Sequence, residues 1–366
     1  MIVSAGAVAV LAMTAPGALA GPTGRTGPRV PAVTTKVVAT KGLDTGTGGP
    51  VVRAGQLWLA SYVDGLQSVN PHTDAITSHK LSNFGTVALD GPLAVDNAGD
   101  LWMDGYNRAN RKQLVERYAP SDGKLTVVKF PKECASGGFS TFTISGGAVW
   151  LSCVTPGLDY IRRTSSGGWD AFPIPAKYDF TEVDFAPGPS GSVWTTTELN
   201  GQTGLLEATS GGAFRYFADP AGETSAFLTG NGKRLVDELY CSDGQGVCFD
   251  SVSASGGLVP LATGPETADN TQWNTATIDP SGNFWIVMIG KDDGVKSDTG
   301  KFFYEITTKA ITHVYPYSVP AKYADSETGL SGVPAFASGS VWSEINNAVD
   351  FANGTDINGE LSRLTP

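Results

Sequence analysis

Residues 279–288 read DPSGNFWIVM, a turn signal running straight into a tryptophan. The phrase recurs as DNAGDLWMDG (96–105), with close relatives at RAGQLWLASY (53–62), SGGAVWLSCV (145–154), GPSGSVWTTT (188–197) and ASGSVWSEIN (337–346). In each, small or turn-forming residues end in Gly, one or two spacers follow, and then come an apolar residue and Trp. Trp58, Trp102, Trp150, Trp194, Trp285 and Trp342 therefore mark a repeat, with spacings of 44, 48, 44, 91 and 57 residues. The double-length gap holds one further mark near Leu235 in TGNGKRLVDELY, where Leu takes the Trp slot. Periods of about 40 to 50 residues built from short strands are what propeller blades show. Seven marks predict an all-β, seven-bladed β-propeller.

Each repeat divides into four strands, as in the second: GPLAVD, a turn at Asn97 to Gly99, DLWMD, a connection, QLVERYAP, a turn from Ser121 to Lys124, and LTVVKFP. Alternation in LVERYA and TVVKF is the period-two signature of a strand, and Asp-Gly punctuates a hairpin. The seventh repeat stops at GELSRLTP with no room for a fourth strand, whereas VTTKVVAT (33–40) precedes the first repeat and reads as one. Residues 33–40 are therefore expected to complete the last blade and close the ring, since an unclosed ring leaves a raw sheet edge on each side of the seam. A blade has two apolar faces that it cannot bury alone, so the tryptophans are read as packing between stacked blades rather than as ligand platforms.

Composition narrows the function classes. The chain has 366 residues, 41% hydrophobic and 17% charged, with 46 glycines and a net charge of -11. Residues 1–20 are apolar, uncharged and end in Ala-Leu-Ala, the pattern of a signal peptide cleaved after Ala20. Residues 21–32 read as a flexible Gly/Pro leader, leaving 33–366 as one propeller domain. No later stretch approaches the roughly twenty apolar residues of a membrane helix. An acidic chain repels phosphate backbones, so nucleic acid is excluded as a partner; a secreted monomer without membrane insertion is expected. Four cysteines without C-x-x-C spacing predict two disulfides within the couples Cys134/Cys153 and Cys241/Cys248.

A turn, Gly, an aliphatic residue and Trp, followed by a strand such as GLLEATSGGAFRYFADP, make the seven repeats resemble the streptogramin lyase (virginiamycin B lyase) family. The resemblance implies metal-assisted elimination on a cyclic depsipeptide, with histidine and glutamate at the central mouth and magnesium as cofactor. The family's Gly-Pro-His-Gly phrase has its nearest match in Gly91-Pro92-Leu93-Ala94, where Leu93 stands in the histidine slot. His72, His79 and His313 fall on a turn and on outermost strands. The family's Glu, three residues past the Trp, matches Glu238 counted from Leu235; Glu198 and Glu344 lie one residue off.

Strand ends and loops on one face of the disc gather carboxylates. Glu198, Glu238 and Glu344 are the candidates for catalysis, and with Asp237 for holding a hard divalent cation, Mg or Ca, which takes oxygen ligands. Asp104, Tyr106 and Glu182 are candidates for ligand contact, with Asp179, Asp184, Asp269, Asp292, Asp293 and Asp325 on neighbouring loops. Against them stands the solubility role that any acidic exported surface serves. Without the histidine, the sequence favours a protein binding a small molecule or cation at an acidic mouth over a Mg-dependent lyase.

Overall fold

The computed structural model describes residues 34–43, 49–61, 65–81, 86–129, 134, 138–153, 159–179, 185–219, 225–240, 247–253, 255–263, 275–288, 301–306, 311–317, 329–346 and 359–365. The signal and leader readings (1–32) lie outside them. Each repeat folds into an antiparallel sheet whose strands pair in chain order. Sheet 1 holds Val51–Arg53, Gln56–Ser61, Gly65–Val69 and Ile76–His79. Sheet 2 holds Val87–Val95, Leu101–Asn107, Gln113–Ala119 and Lys124–Val128; sheet 3 holds Phe139–Ser145, Ala148–Cys153, Asp159–Arg163 and Trp169–Pro173. Sheet 4 runs Val193–Leu199, Gln202–Ala208 and Phe214–Ala218, with two short strands, Tyr178–Asp179 and Phe185–Pro187, both paired to Val193–Leu199. Sheet 5 holds Ser225–Gly230, Leu235–Tyr240, Val247–Val252 and Leu258–Thr263, and sheet 6 Thr275–Ile278, Phe284–Met288, Lys301–Ile306 and Ile311–Tyr317. The last sheet orders Gly329–Ala337, Ser340–Asn346, Gly359–Thr365 and, on its edge, Thr34–Leu43.

The fold is an all-β propeller. The expectation of seven uniform four-stranded blades is corrected: six blades, not seven, have four strands, and sheet 4 has five. Its first strand comes in two pieces, each bonded to a different half of Val193–Leu199. Thr34–Leu43 pairs antiparallel with Gly359–Thr365, Thr34 facing Thr365 and Val38 facing Leu361.

Stacking follows from burial on both faces of each sheet. Leu57 and Leu59 pack against Ala335, Ala337 and Trp342 of the last sheet, while Trp58 and Ala60 face Leu101, Met103 and Tyr118 of sheet 2. Trp102, Trp150 and Trp194 repeat that step toward Phe142, Val193 and Val252 of the next sheet. A buried indole contributes roughly 2 to 3 kcal/mol by area.

The repeated phrase anchors that indole. In DNAGDLW, Asp96 Oδ1 accepts from the amides of Ala98 and Asp100 (both 2.9 Å), and Asp96 Oδ2 accepts from Trp102 Nε1 at 2.8 Å. In DPSGNFW, Asp279 accepts from the Asn283 amide, from Asn283 Nδ2 and, at 3.1 Å, from Trp285 Nε1. In GPSGSVW the acceptor is Ser192 Oγ, 2.9 Å from Trp194 Nε1. Gly99 and Gly282, at φ +80° and +86°, take the left-handed turn that a side chain would strain. Their carbonyls accept from arginines of the preceding sheet, Arg53 and Arg234. One phrase therefore makes the turn, fixes the indole and ties two sheets together. Asp279→Ala is expected to cost about 2 to 3 kcal/mol in urea unfolding, because it strips three hydrogen bonds from a buried carboxylate, one of them donated by an indole N–H. A loss no larger than that of Ser192→Ala would contradict this account.

Cys134 and Cys153, both fully buried, form the expected disulfide at the start of sheet 3. Cys248 is also disulfide-bonded; Cys241 lies outside the described residues.

Candidate functional site

The innermost strand of every sheet contributes to one cavity of about 690 Å³. Its wall is formed by the ends of those strands nearest the first hairpin of each sheet, with Val52, Phe142, Leu228 and Phe336 among the apolar groups. Asp279 is the one carboxylate among its described lining residues, and the hydrogen bonds above occupy both of its oxygens. Among the described residues, none of the carboxylates picked out from the sequence lines this cavity.

Those residues lie at other places in the sheets. Asp104 Oδ1 accepts from the Gly105 amide at 2.6 Å, and Oδ2 from Gln113 Nε2 at 3.0 Å. Gln113 Oε1 in turn accepts from the Phe139 amide, so this chain ties sheet 2 to sheet 3. Tyr106 is buried beneath the Arg111 guanidinium, 4.1 Å from its ring centre. Glu198, half-buried, faces Asp179 across the strand pair and stands near Tyr216. Burial first, then the charges of Asp219 and Glu198, push the Tyr216 phenol up. Asp237 and Glu238 are both buried, and as neighbours in a strand they project to opposite faces. Glu344 sits in Ser340–Asn346 opposite Ser331 and Leu361. Glu182, Asp184, Asp269, Asp292, Asp293 and Asp325 lie outside the described residues. Among the described residues no three His, Cys, Asp or Glu side chains are grouped as a metal would need.

Packing corrects the repeat register. Leu57, Leu101 and Val193, each one residue before a Trp, point back at the preceding sheet. Leu235 does the same, packing on Trp194. The Trp slot of sheet 5 is therefore Val236, not Leu235. A one-residue slip exchanges the two faces of a strand, and here both faces are apolar, so the pattern did not reveal it. Glu238 accordingly stands two residues past its slot, the register of Glu344 after Trp342 and Asp104 after Trp102.

His79 and His72 are not among the residues lining the cavity. His79 Nε2 is 2.9 Å from Ser68 Oγ, its ring stacks on Trp58 at 4.4 Å, and burial lowers its pKa. His72 Nε2 lies 3.1 Å from Ser338 Oγ. Leu93, in the slot of the family histidine, is a buried core residue. A group that sequence reasoning missed is Glu116, which is fully buried opposite Met103 with no hydrogen-bond partner for either carboxylate oxygen. Burial, then the nearby Asp104 charge, raises its pKa to about 7. Alternation in LVERYA marks a strand but does not say which residues are enclosed, because a strand packed on both faces has no outward side.

No protein-family model matches the chain, and no curated protein does. Solved structures are similar in fold. YCF48 from Cyanidioschyzon merolae aligns at 8% identity over 91% of this chain and 99% of its own, with TM-score 0.57. An oligogalacturonate lyase in complex with manganese aligns at 12% identity over 92% and 97%, TM-score 0.56. The β-propeller domain of the Trilobed protease from Pyrococcus furiosus, described as having an open velcro topology, aligns at 8% identity over 89% and 94%, TM-score 0.54. At these identities the likeness shows the β-propeller fold alone.

Proposed function

We infer that this is an exported, ring-closed β-propeller that binds a small molecule in its axial cavity. The observation that carries the reading is the cavity itself: seven innermost strands converge on about 690 Å³ of mostly apolar space, within the size range of small-molecule sites. Pairing of Thr34–Leu43 with Gly359–Thr365 and packing of Trp342 against Leu57 and Leu59 support the closed ring. The Cys134–Cys153 disulfide suits an oxidising compartment. Among the described residues no helix is long and apolar enough to cross a membrane. The lyase reading of the streptogramin family finds no histidine among the described lining residues, and Leu93 lines the wall where the family has it. A cation at the carboxylates is the second reading, favoured by the shared register of Asp104, Glu238 and Glu344, and one solved propeller of similar fold holds manganese.

One experiment with two arms tests both readings. Saturation-transfer NMR with neutral aromatic fragments is expected to give signals that Val52→Trp and Thr277→Trp abolish; signals that persist in both variants overturn the cavity reading. Calorimetric titration with magnesium and with calcium is expected to give heats that the Asp104→Asn/Glu238→Gln/Glu344→Gln triple variant loses. No heat in the parent protein removes the cation arm and leaves the cavity arm standing.

A further inference from the structure

We propose that the axial cavity selects uncharged molecules with an apolar body and one or more hydroxyl or carbonyl groups, which Thr143, Thr229 and Thr277 bind by hydrogen bonds. This rests on the cavity reading and adds the class of ligand. Three features of the wall carry it. The first is the absence of a usable charge: Asp279 is buried and spends its oxygens on Asn283 and Trp285. A charged ligand entering this space loses its hydration and meets no counter-charge among the described lining residues, a cost that binding cannot recover.

The second is the apolar area, from Val51, Val52, Phe142, Leu228, Ile278 and Phe336 on five different sheets. It surrounds a ligand rather than offering one flat face, so hydrophobic burial supplies affinity without direction. Direction comes from the third feature. Thr143, Thr229 and Thr277 line the cavity from sheets 3, 5 and 6, and among the described residues their hydroxyls make no side-chain hydrogen bond. Each hydroxyl can donate or accept. Three such groups on three sides of an apolar space match a neutral molecule with hydroxyl or carbonyl groups, each bond adding modestly to an affinity that apolar burial supplies.

Two probes with the same ring system separate charge from shape: N-phenyl-1-naphthylamine, which is neutral, and 1-anilinonaphthalene-8-sulfonate, its anionic counterpart. Fluorescence titration of the full chain is expected to give saturable one-to-one binding of the neutral probe and at least about tenfold weaker binding of the sulfonate. Nile red, a neutral probe with a carbonyl, is expected to lose about five- to tenfold in affinity in the Thr143→Val/Thr229→Val/Thr277→Val variant, one hydrogen bond being worth roughly that factor. The naphthylamine should keep its affinity there, which shows that the variant is folded. Equal or tighter sulfonate binding that Val52→Trp blocks overturns the ligand class and leaves the cavity reading in place. Binding of neither probe, or neutral-probe binding that Val52→Trp and Thr277→Trp both leave unchanged, overturns the cavity reading and the class with it. Nile red affinity unchanged in the triple valine variant overturns the role of the threonines.

Discussion

Glu116→Gln is expected to stabilise the protein at pH 8 by roughly 3 kcal/mol and by less than about 1 kcal/mol at pH 5. The carboxylate is fully buried, both its oxygens lack partners, and its pKa stands at about 7 against an ordinary 4.5. Burial is the main cause and the charge of Asp104 the second. An acid whose folded-state pKa lies above its unfolded value holds its proton more tightly when folded. Stability is therefore full below about pH 4.5 and falls as pH rises through about 7, where the folded group must ionise without solvent. Moving from the ordinary 4.5 to about 7 corresponds to roughly 3 kcal/mol. Glutamine cannot ionise, so the variant escapes the loss. The lowered pKa of His79 acts in the opposite direction, removing stability as pH falls through its ordinary value. It is common to both proteins and cancels in their difference. Urea unfolding of the pair from pH 5 to pH 8.5 measures the effect, and a constant difference across that range would contradict it.

Truncation to residue 44 is expected to destabilise the protein by about 3 to 5 kcal/mol and to make it self-associate, whereas truncation to residue 34 should leave stability unchanged. Thr34–Leu43 supplies the edge of the last sheet, from Thr34 opposite Thr365 to Leu43 opposite Gly359. Each pairing hydrogen bond contributes a net 0.5 to 1.5 kcal/mol, so a strand of this length adds several. Without it, Gly359–Thr365 becomes a bare edge, a template for pairing with another chain. A synthetic peptide spanning residues 34–43 should restore monomeric behaviour when added in trans. Equal melting of both truncated forms, each monomeric by light scattering, would show that the fold does not depend on this strand.

Much of the architecture can be read locally. The tryptophan phrases, the hairpin signals and the strand before the first repeat are short-range features, and they led to the propeller, the terminal pairing and the Cys134–Cys153 bridge. The fifth strand of sheet 4 was not legible, because splitting an inner strand changes pairing without changing composition. The sites were less legible still. Asp104 reads from the sequence as a strand-end carboxylate for ligand contact, yet it is bound through Gln113 to the next sheet.

What the sequence by itself determined is the repeat: turn geometry demands glycine at fixed places, and an apolar residue and Trp follow it in DNAGDLW and DPSGNFW. Only the tertiary structure decided that Val236 rather than Leu235 fills the seventh slot, that Glu116 is enclosed, and that the described axial cavity is apolar. The reason is common to all three. A strand covered on both faces loses the period-two contrast that tells inside from outside, so the fate of each side chain is settled by the neighbouring sheet, which lies about forty residues away in the chain.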